Sequence, residues 1–254
     1  MAQRSKQPVA LSIAGLDPSG GAGVIADIKT FTAFDWRATV AVTSLTFQNS
    51  SGVYGALHQS AEAVRNQIAP IVKEFRVVCA KTGMLPTREI VEEVARLFSE
   101  EDLPAPVVDT VMRSTTGFDL IDKGAIAALL SELFPLARLI TPNIPEAEQL
   151  TGLEIADEEA MLRAAQTLRE MGARAVLVKG GHLAGGDAVD VLDDEGRVSV
   201  FRQKRIEAGD VRGTGCMLSS AIAACLGKGM SLEESVSEAK RFVTQKIREV
   251  ISDE

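Results

Sequence analysis

Two glycines bracket a threonine in Asp210-Val211-Arg212-Gly213-Thr214-Gly215-Cys216, and a run of helix formers, Met217 to Ala224, begins at once. Glycine lets successive backbone N–H groups turn toward one point. The first turn of a helix adds unpaired N–H donors and a partial positive charge at the same place. Such a segment is an anion hole, suited to phosphate or to charge developing on a phosphoryl group in flight. Cys216 would feel the same field, which lowers thiol pKa, so a candidate proton acceptor stands beside a candidate phosphate site. The same residues also fit a loop that merely starts a helix, and short glycine motifs recur too often for spacing alone to choose.

Other residues could join this chemistry, each with a plainer reading beside it. Asp109 closes the buried run Val107-Val108-Asp109, where a carboxylate could hold Mg²⁺ or water. Glu146 follows Asn143 by three positions at a helix start; it could hold a metal-bound water near phosphates, or serve as the box partner of an Asn143 cap. Lys179 precedes two glycines, a good setting for a phosphate partner, or is a surface lysine in a turn. Asp27 falls on the apolar side of a helix with Val24, Ile28 and Phe31, so it needs a partner or a ligand, or reaches water from a flank. Gln48 offers donor and acceptor together, as an aminopyrimidine edge requires, or bonds to local backbone. Met84 and Met112 are polarizable walls for a flat ring, or core filling. Arg212 could bind phosphate bidentately or point into solvent. His182 reads as structural or as a modest ligand contact, and Cys225 as core. Gly15 to Gly23 has neither dinucleotide spacing nor a Gly-Lys-Ser/Thr ending, so it is a tight strand-to-helix turn or a close approach to a ligand.

Positioning these residues takes an alternation of elements. Val9–Ala14, Ala38–Leu45, Val77–Ala80, Val107–Asp109, Leu139–Thr141 and Ala175–Val178 are apolar almost throughout, as central strands covered on both faces are. Helical patterns over Gly21–Ala33, Ala61–Lys73, Thr87–Ser99, Asp122–Leu133 and Asp157–Met171 alternate with them. Ala188–Leu192 and Val198–Arg202 flank a hairpin turn, and helices over Gly213–Leu226 and Leu232–Val250 follow. This order predicts an α/β fold of three αβα layers, a mostly parallel central sheet with helices on both faces. Ligands bind outside the carboxyl ends of such strands. The polar and glycine-rich surprises follow the strands, so six unusual segments should share one rim.

Composition narrows the class. The 254 residues, 46% hydrophobic, suit one domain over 1–254, with disorder expected at most over residues 1–8. A net charge of −8 argues against nucleic acid as partner. No apolar run approaches a membrane span, and the polar start is too short for a signal peptide. Three separated cysteines read as reduced thiols of a cytoplasmic protein, and two histidines make a histidine-rich metal site a poor fit.

Several blocks in order carry a resemblance: Ile13 to Gly23, Ala26 to Phe31, Gln48-Asn49, Lys81 to Leu85, Asp109 to Met112, Ile140 to Ala147, Val178 to His182 and Gly213 to Cys216. Over nearly the whole chain the sequence resembles the hydroxymethylpyrimidine/phosphomethylpyrimidine kinases of thiamine biosynthesis, within the ribokinase-like superfamily. The resemblance implies ATP- and Mg²⁺-dependent phosphorylation of 4-amino-5-hydroxymethyl-2-methylpyrimidine and then of its monophosphate, by a homodimer. It implies Cys216 as base, with Gly213, Thr214 and Gly215 as anion hole. Gly15, Asp27, Gln48, Met84 and Val111 would line the pyrimidine pocket. Asn143, Glu146 and Lys179 would serve the nucleotide, and Asp109 and Glu146 the metal. The chain departs from the family in carrying Asp210-Val211-Arg212 where Asn-Thr-His is usual, in Phe47, in Arg113 to Phe118, and in lacking a glycine- and histidine-rich C-terminal tail. Rival readings are a pyridoxal or pyridoxine kinase on the same fold and a non-catalytic pyrimidine sensor. Gln48 and the block Lys179 to His182 favour the pyrimidine, and Cys216 with its anion hole disfavours the sensor.

Overall fold

A computed structural model describes residues 6–114, 116–181, 186–206 and 212–252. The predicted layers are present. Nine strands form one sheet in the order β3-β2-β1-β4-β5-β6-β7-β8-β9. They are β1 (Pro8–Leu16), β2 (Ala38–Asn49), β3 (Gly52–His58), β4 (Arg76–Thr82), β5 (Val107–Val108), β6 (Leu139–Ile140), β7 (Ala175–Gly180), β8 (Asp187–Asp194) and β9 (Arg197–Lys204). The central strands β2, β1, β4, β5, β6 and β7 run parallel, while β3, β8 and β9 are antiparallel additions at the edges.

Helices α1 (Gly23–Ala33), α2 (Ala61–Glu74), α3 (Arg88–Glu100), α4 (Lys123–Ala128), α5 (Ile144–Thr151), α6 (Glu158–Glu170), α7 (Thr214–Gly227) and α8 (Leu232–Ser252) cover the sheet. Strand β1 feeds both faces. Val9, Leu11 and Ile13 join one core with residues of α2, α3, α5 and α6, whereas Ala10 joins a second with Phe31 of α1, Ile222 of α7 and Val236 of α8. Burial on both sides is why β1 reads as an unbroken apolar run.

Some expectations need correction. The helix expected over Asp122–Leu133 is helical as α4 only to Ala128, then widens into a π turn over Leu129–Leu133 and tightens into 3₁₀ over Phe134–Leu136. Pro135 lacks an N–H and its ring crowds the carbonyl four residues back, so a regular α-helix cannot run through it. Gln48 and Asn49 lie inside β2 rather than after it, extended by pairing with β3, and Lys81 and Lys179 likewise still belong to β4 and β7. Of the segment 1–8, residues 1–5 lie outside the described residues; Pro8 opens β1, and the Gln7 carbonyl accepts from Arg76 N–H at 3.0 Å. Among the described residues no helix is long and apolar enough to cross a membrane.

Candidate active site

The carboxyl ends of the parallel strands surround a cavity of about 340 Å³. Gly15, Gln48, Met84, Asp109, Val111, Asn143, Glu146, Lys179, Gly213, Thr214, Gly215 and Cys216 all line it. Segments that stand at or beyond the ends of six strands therefore meet at one rim. Asp27 is the predicted residue that does not line the cavity, and Met112 is core. His182, Asp210 and Val211 lie outside the described residues.

The start of α7 is shaped by one glycine. Gly213 has φ +76°, and a Cβ there would stand 2.0 Å from the Gly21 carbonyl oxygen, so no other residue fits without moving the backbone. The first helical bond of α7 runs from Met217 N–H to the Gly213 carbonyl at 2.8 Å. The Thr214, Gly215 and Cys216 amides therefore precede the helical ladder, and no side chain of the described residues caps them. All three residues line the cavity.

Around these amides stands a chain of alternating charge. Asp109, 3% exposed, accepts from Lys179 Nζ at 3.2 Å through Oδ1, while its Oδ2 lies 4.0 Å from Lys81 Nζ. That Oδ2 has no hydrogen-bond partner among the described residues. Burial pushes the Asp109 carboxyl up, but Lys179 and Lys81 outweigh it and hold the group below the usual aspartate value. Glu146 is raised, chiefly by burial and secondarily by Asp109, against the pull of Lys179. Its Oε2 accepts from Asn143 N–H at 2.9 Å and Thr110 Oγ1 at 2.8 Å, and Asn143 Oδ1 accepts from Glu146 N–H at 2.9 Å. Capping box and cavity wall are thus the same residues, and the two readings do not exclude each other.

Cys216 lines the cavity, but its thiol is not activated at rest. Burial pushes it up to about 12; Asp109 and Asp27 add to the rise, against Lys81 and a hydrogen bond from Gly23 N–H. The expectation that the helix start would lower this pKa is corrected: desolvation in a packed cleft outweighs a half-charge at the helix end.

Sequence reasoning missed Lys81 and the Arg212–Asp17 contact. Lys81 is fully buried, and its signal was a charged residue ending the apolar run Val77 to Ala80, which demands a buried partner. Arg212 does not point freely into solvent. Its Nη2 lies 3.4 Å from Asp17 Oδ2 and its Nη1 donates to the Asn49 carbonyl at 2.5 Å, tying the start of α7 to β2 and the β1–α1 turn.

A second cavity of about 240 Å³ opens between β7–β9 and α8, lined by Asp190, Gln203, Lys240 and Thr244 among others. Lys179, Gly181, Thr214 and Gly215 line both cavities, so the two meet at the start of α7. Of the residues expected to serve a nucleotide, Lys179 reaches both, while Asn143 and Glu146 belong to the first alone.

Comparison with known proteins places this geometry. The structure superposes with a TM-score of 0.86 on that of the pyridoxal kinase from Staphylococcus aureus in complex with AMP-PCP and pyridoxal, at 30% identity, covering 96% of this chain and 88% of that one. Fold and rim together define a small-molecule kinase of the ribokinase-like class. A family model described as phosphomethylpyrimidine kinase matches residues 17–252. The hydroxymethylpyrimidine/phosphomethylpyrimidine kinase of Streptomyces coelicolor is 44% identical over 93% of this chain and 87% of its own length. The thiamine biosynthesis bifunctional protein ThiED of Geobacter sulfurreducens is also 44% identical, over 94% of this chain; the chain spans about half of that protein, 49%. The chain belongs to the phosphomethylpyrimidine kinase family and is a phosphotransferase.

Proposed function

We propose that the protein transfers the γ-phosphoryl group of ATP to 4-amino-5-hydroxymethyl-2-methylpyrimidine and then to its monophosphate, as a step of thiamine biosynthesis. The observation that carries this reading is the meeting of two cavities at the first-turn amides of α7, which no side chain of the described residues caps. The pyrimidine occupies the first, with the Gln48 amide at its ring edge and Met84 against its face. The nucleotide occupies the second, with its terminal phosphates reaching Lys179 and the Thr214–Cys216 amides. Phosphoryl transfer needs mainly positioning and charge stabilisation, and these groups supply both.

Cys216 is the proton acceptor in this scheme, but it acts as a relay. Its thiol is protonated at rest and lines the same cavity as the Asp109 carboxylate, whose Oδ2 has no partner among the described residues. The alcohol's proton passes to sulfur and the thiol's own proton moves onto the Asp109 carboxylate, as the new O–P bond forms and the bond from the γ-phosphorus to the bridging oxygen breaks, with ADP leaving. Asp109 lies against two ammonium groups, which disfavours a divalent cation on that carboxylate. Glu146 has oxygen-donor chemistry suited to a water of hydrated Mg²⁺. When bound, Mg²⁺ would offset charge on the nucleotide phosphates.

The test is a substrate panel with ATP: the pyrimidine alcohol, its monophosphate, pyridoxal and ribose. The reading expects ADP release dependent on the alcohol and on the monophosphate. Faster turnover of pyridoxal than of the alcohol would overturn it.

A further inference from the structure

The Asp27 carboxylate is completely enclosed and completely engaged. Its Oδ2 accepts from Ser12 Oγ at 2.5 Å, its Oδ1 accepts from Ser220 Oγ at 2.8 Å, and both oxygens lie 3.0 Å from Lys81 Nζ. Three donor groups, making four contacts, fill a carboxylate that is 0% exposed and does not line the cavity, so no lone pair is left to turn toward a substrate. Lys81 differs in one respect: equally enclosed, it does line the cavity floor. A Cβ on Gly83 would stand 2.8 Å from its Nζ, so the bare backbone at that position leaves room for the ammonium.

The arrangement joins three elements that also build the site. Ser12 comes from β1, Asp27 from α1 and Ser220 from α7, whose first turn carries the anion hole. The ammonium they hold lies 4.0 Å from the orphaned Asp109 Oδ2. Burial pulls the Lys81 pKa down, but the Asp27 and Asp109 carboxylates hold it above the ordinary lysine value, so the cation stays charged. A buried cation whose counter-ion is itself pinned by two serine hydroxyls does not reorganise when negative charge appears beside it, which is the condition for electrostatic catalysis.

We propose that Lys81 is a fixed cation of the phosphoryl-transfer centre, and that Asp27 is the positioning residue that holds it rather than a ligand of the substrate. The proposal rests on the reading of the first cavity as the acceptor pocket. That reading fails if the wild-type protein does not turn over the pyrimidine alcohol; the present proposal fails on the variants of an active wild type.

The experiment compares kcat and KM for the pyrimidine alcohol in K81M, D27N, S220A and the double variant D27N/K81M, each with a thermal melt to confirm folding. K81M should lose about 100-fold in kcat, with KM moving less than about threefold, because a charge acting on the transition state is removed. D27N should lose kcat in the same sense, and S220A by a few-fold. K81M leaves an uncompensated buried carboxylate and could unfold the protein; the double variant removes both charges and avoids that penalty. A purely structural ion pair is replaceable by a neutral pair. Wild-type kcat in folded D27N/K81M would therefore overturn the role of Lys81, and a persistent loss would support it. A tenfold or larger rise in KM with unchanged kcat in D27N would restore Asp27 as a substrate ligand. Unchanged kcat in S220A would count against the anchoring.

Discussion

Glu93 and Asp109 are both nearly buried carboxylates standing between two cations, one on the helical face and one at the rim. On α3, Glu93 receives Arg65 Nε at 2.6 Å, Arg65 Nη2 at 2.7 Å, Arg96 Nη2 at 2.6 Å and Arg96 Nε at 3.2 Å, two donors to each oxygen. Hydrogen bonds from Arg65 outweigh its burial, and with Arg96 they hold its carboxyl down at about 2. At the rim, Asp109 has one oxygen served and the other left without a partner among the described residues. Burial, with Asp109 adding to it, raises the Glu146 carboxyl beside it and pushes the Cys216 thiol up to about 12. A pair that exists for stability is saturated with donors, whereas a site that must receive a ligand keeps buried polar capacity in reserve.

That contrast is most directly broken at the thiol. C216A removes the relay and leaves the cavity walls in place, so kcat should fall by about 10²- to 10³-fold while binding of the pyrimidine stays near wild type. Steady-state kinetics beside calorimetric titration of the alcohol measure both quantities. Wild-type turnover would remove Cys216 from the mechanism and with it the reason for the reserve at Asp109.

A backbone test probes the same side. In G213A the new Cβ would stand 2.0 Å from the Gly21 carbonyl oxygen, in a left-handed conformation that alanine resists. The amides of α7 must shift, and misplacement on the ångström scale costs about 10²-fold in rate. Turnover assays with a thermal melt separate this from unfolding; a folded G213A of normal activity would show that the amides are not the anion hole.

The saturated site makes the opposite prediction, of stability without activity. Glu93 is depressed in the folded state, so its contribution is present above the ordinary glutamate value of 4.5 and is lost as pH falls through about 2. The full shift would amount to about 3 kcal/mol, but Arg65 and Arg96 are 45% and 39% exposed, and screening reduces this to about 1–2 kcal/mol. Urea unfolding of E93Q should show that deficit at pH 6 and a smaller one at pH 3, with kcat unaffected. An equal deficit at both pH values would mean that the ion pair is not its source.

What the linear chain discloses follows the same division. The parallel strands are readable because two-sided burial leaves runs such as Val9 to Ala14, and rim residues are readable because they interrupt the ends of those runs. Strand β3 escapes notice: Gly52 and Gly55 break any alternation, and Tyr54 and Leu57 stay exposed, so neither burial pattern forms. Asp27 is legible as a charge in need of a partner, but Lys81, 54 positions away, is identifiable only once β4 lies beside β1. For Cys216 the helix start is visible in sequence and the desolvation is not, which is why its pKa is expected in the wrong direction. Local fields are properties of neighbouring residues, whereas burial is a property of the whole fold.

Arg212 lies between the two kinds of site and gives the smallest and most discriminating effect. It is partly served, by Asp17 Oδ2 and the Asn49 carbonyl, yet it lines the first cavity, at the position where the resemblance leads one to expect histidine. Asp17 is raised by burial but lowered further by bonds from Ser19 and Gln48 and by Arg212, so it remains a charged counter-ion for the guanidinium. A substrate phosphate would compete with Asp17 for that guanidinium, bidentately, while the uncharged alcohol would not. R212A should therefore reduce kcat/KM for the monophosphate several-fold more than for the alcohol, with the difference shrinking as salt rises. Equal losses on both substrates at low and high salt would assign Arg212 to holding β2 against α7, placing it with Glu93 among the saturated contacts.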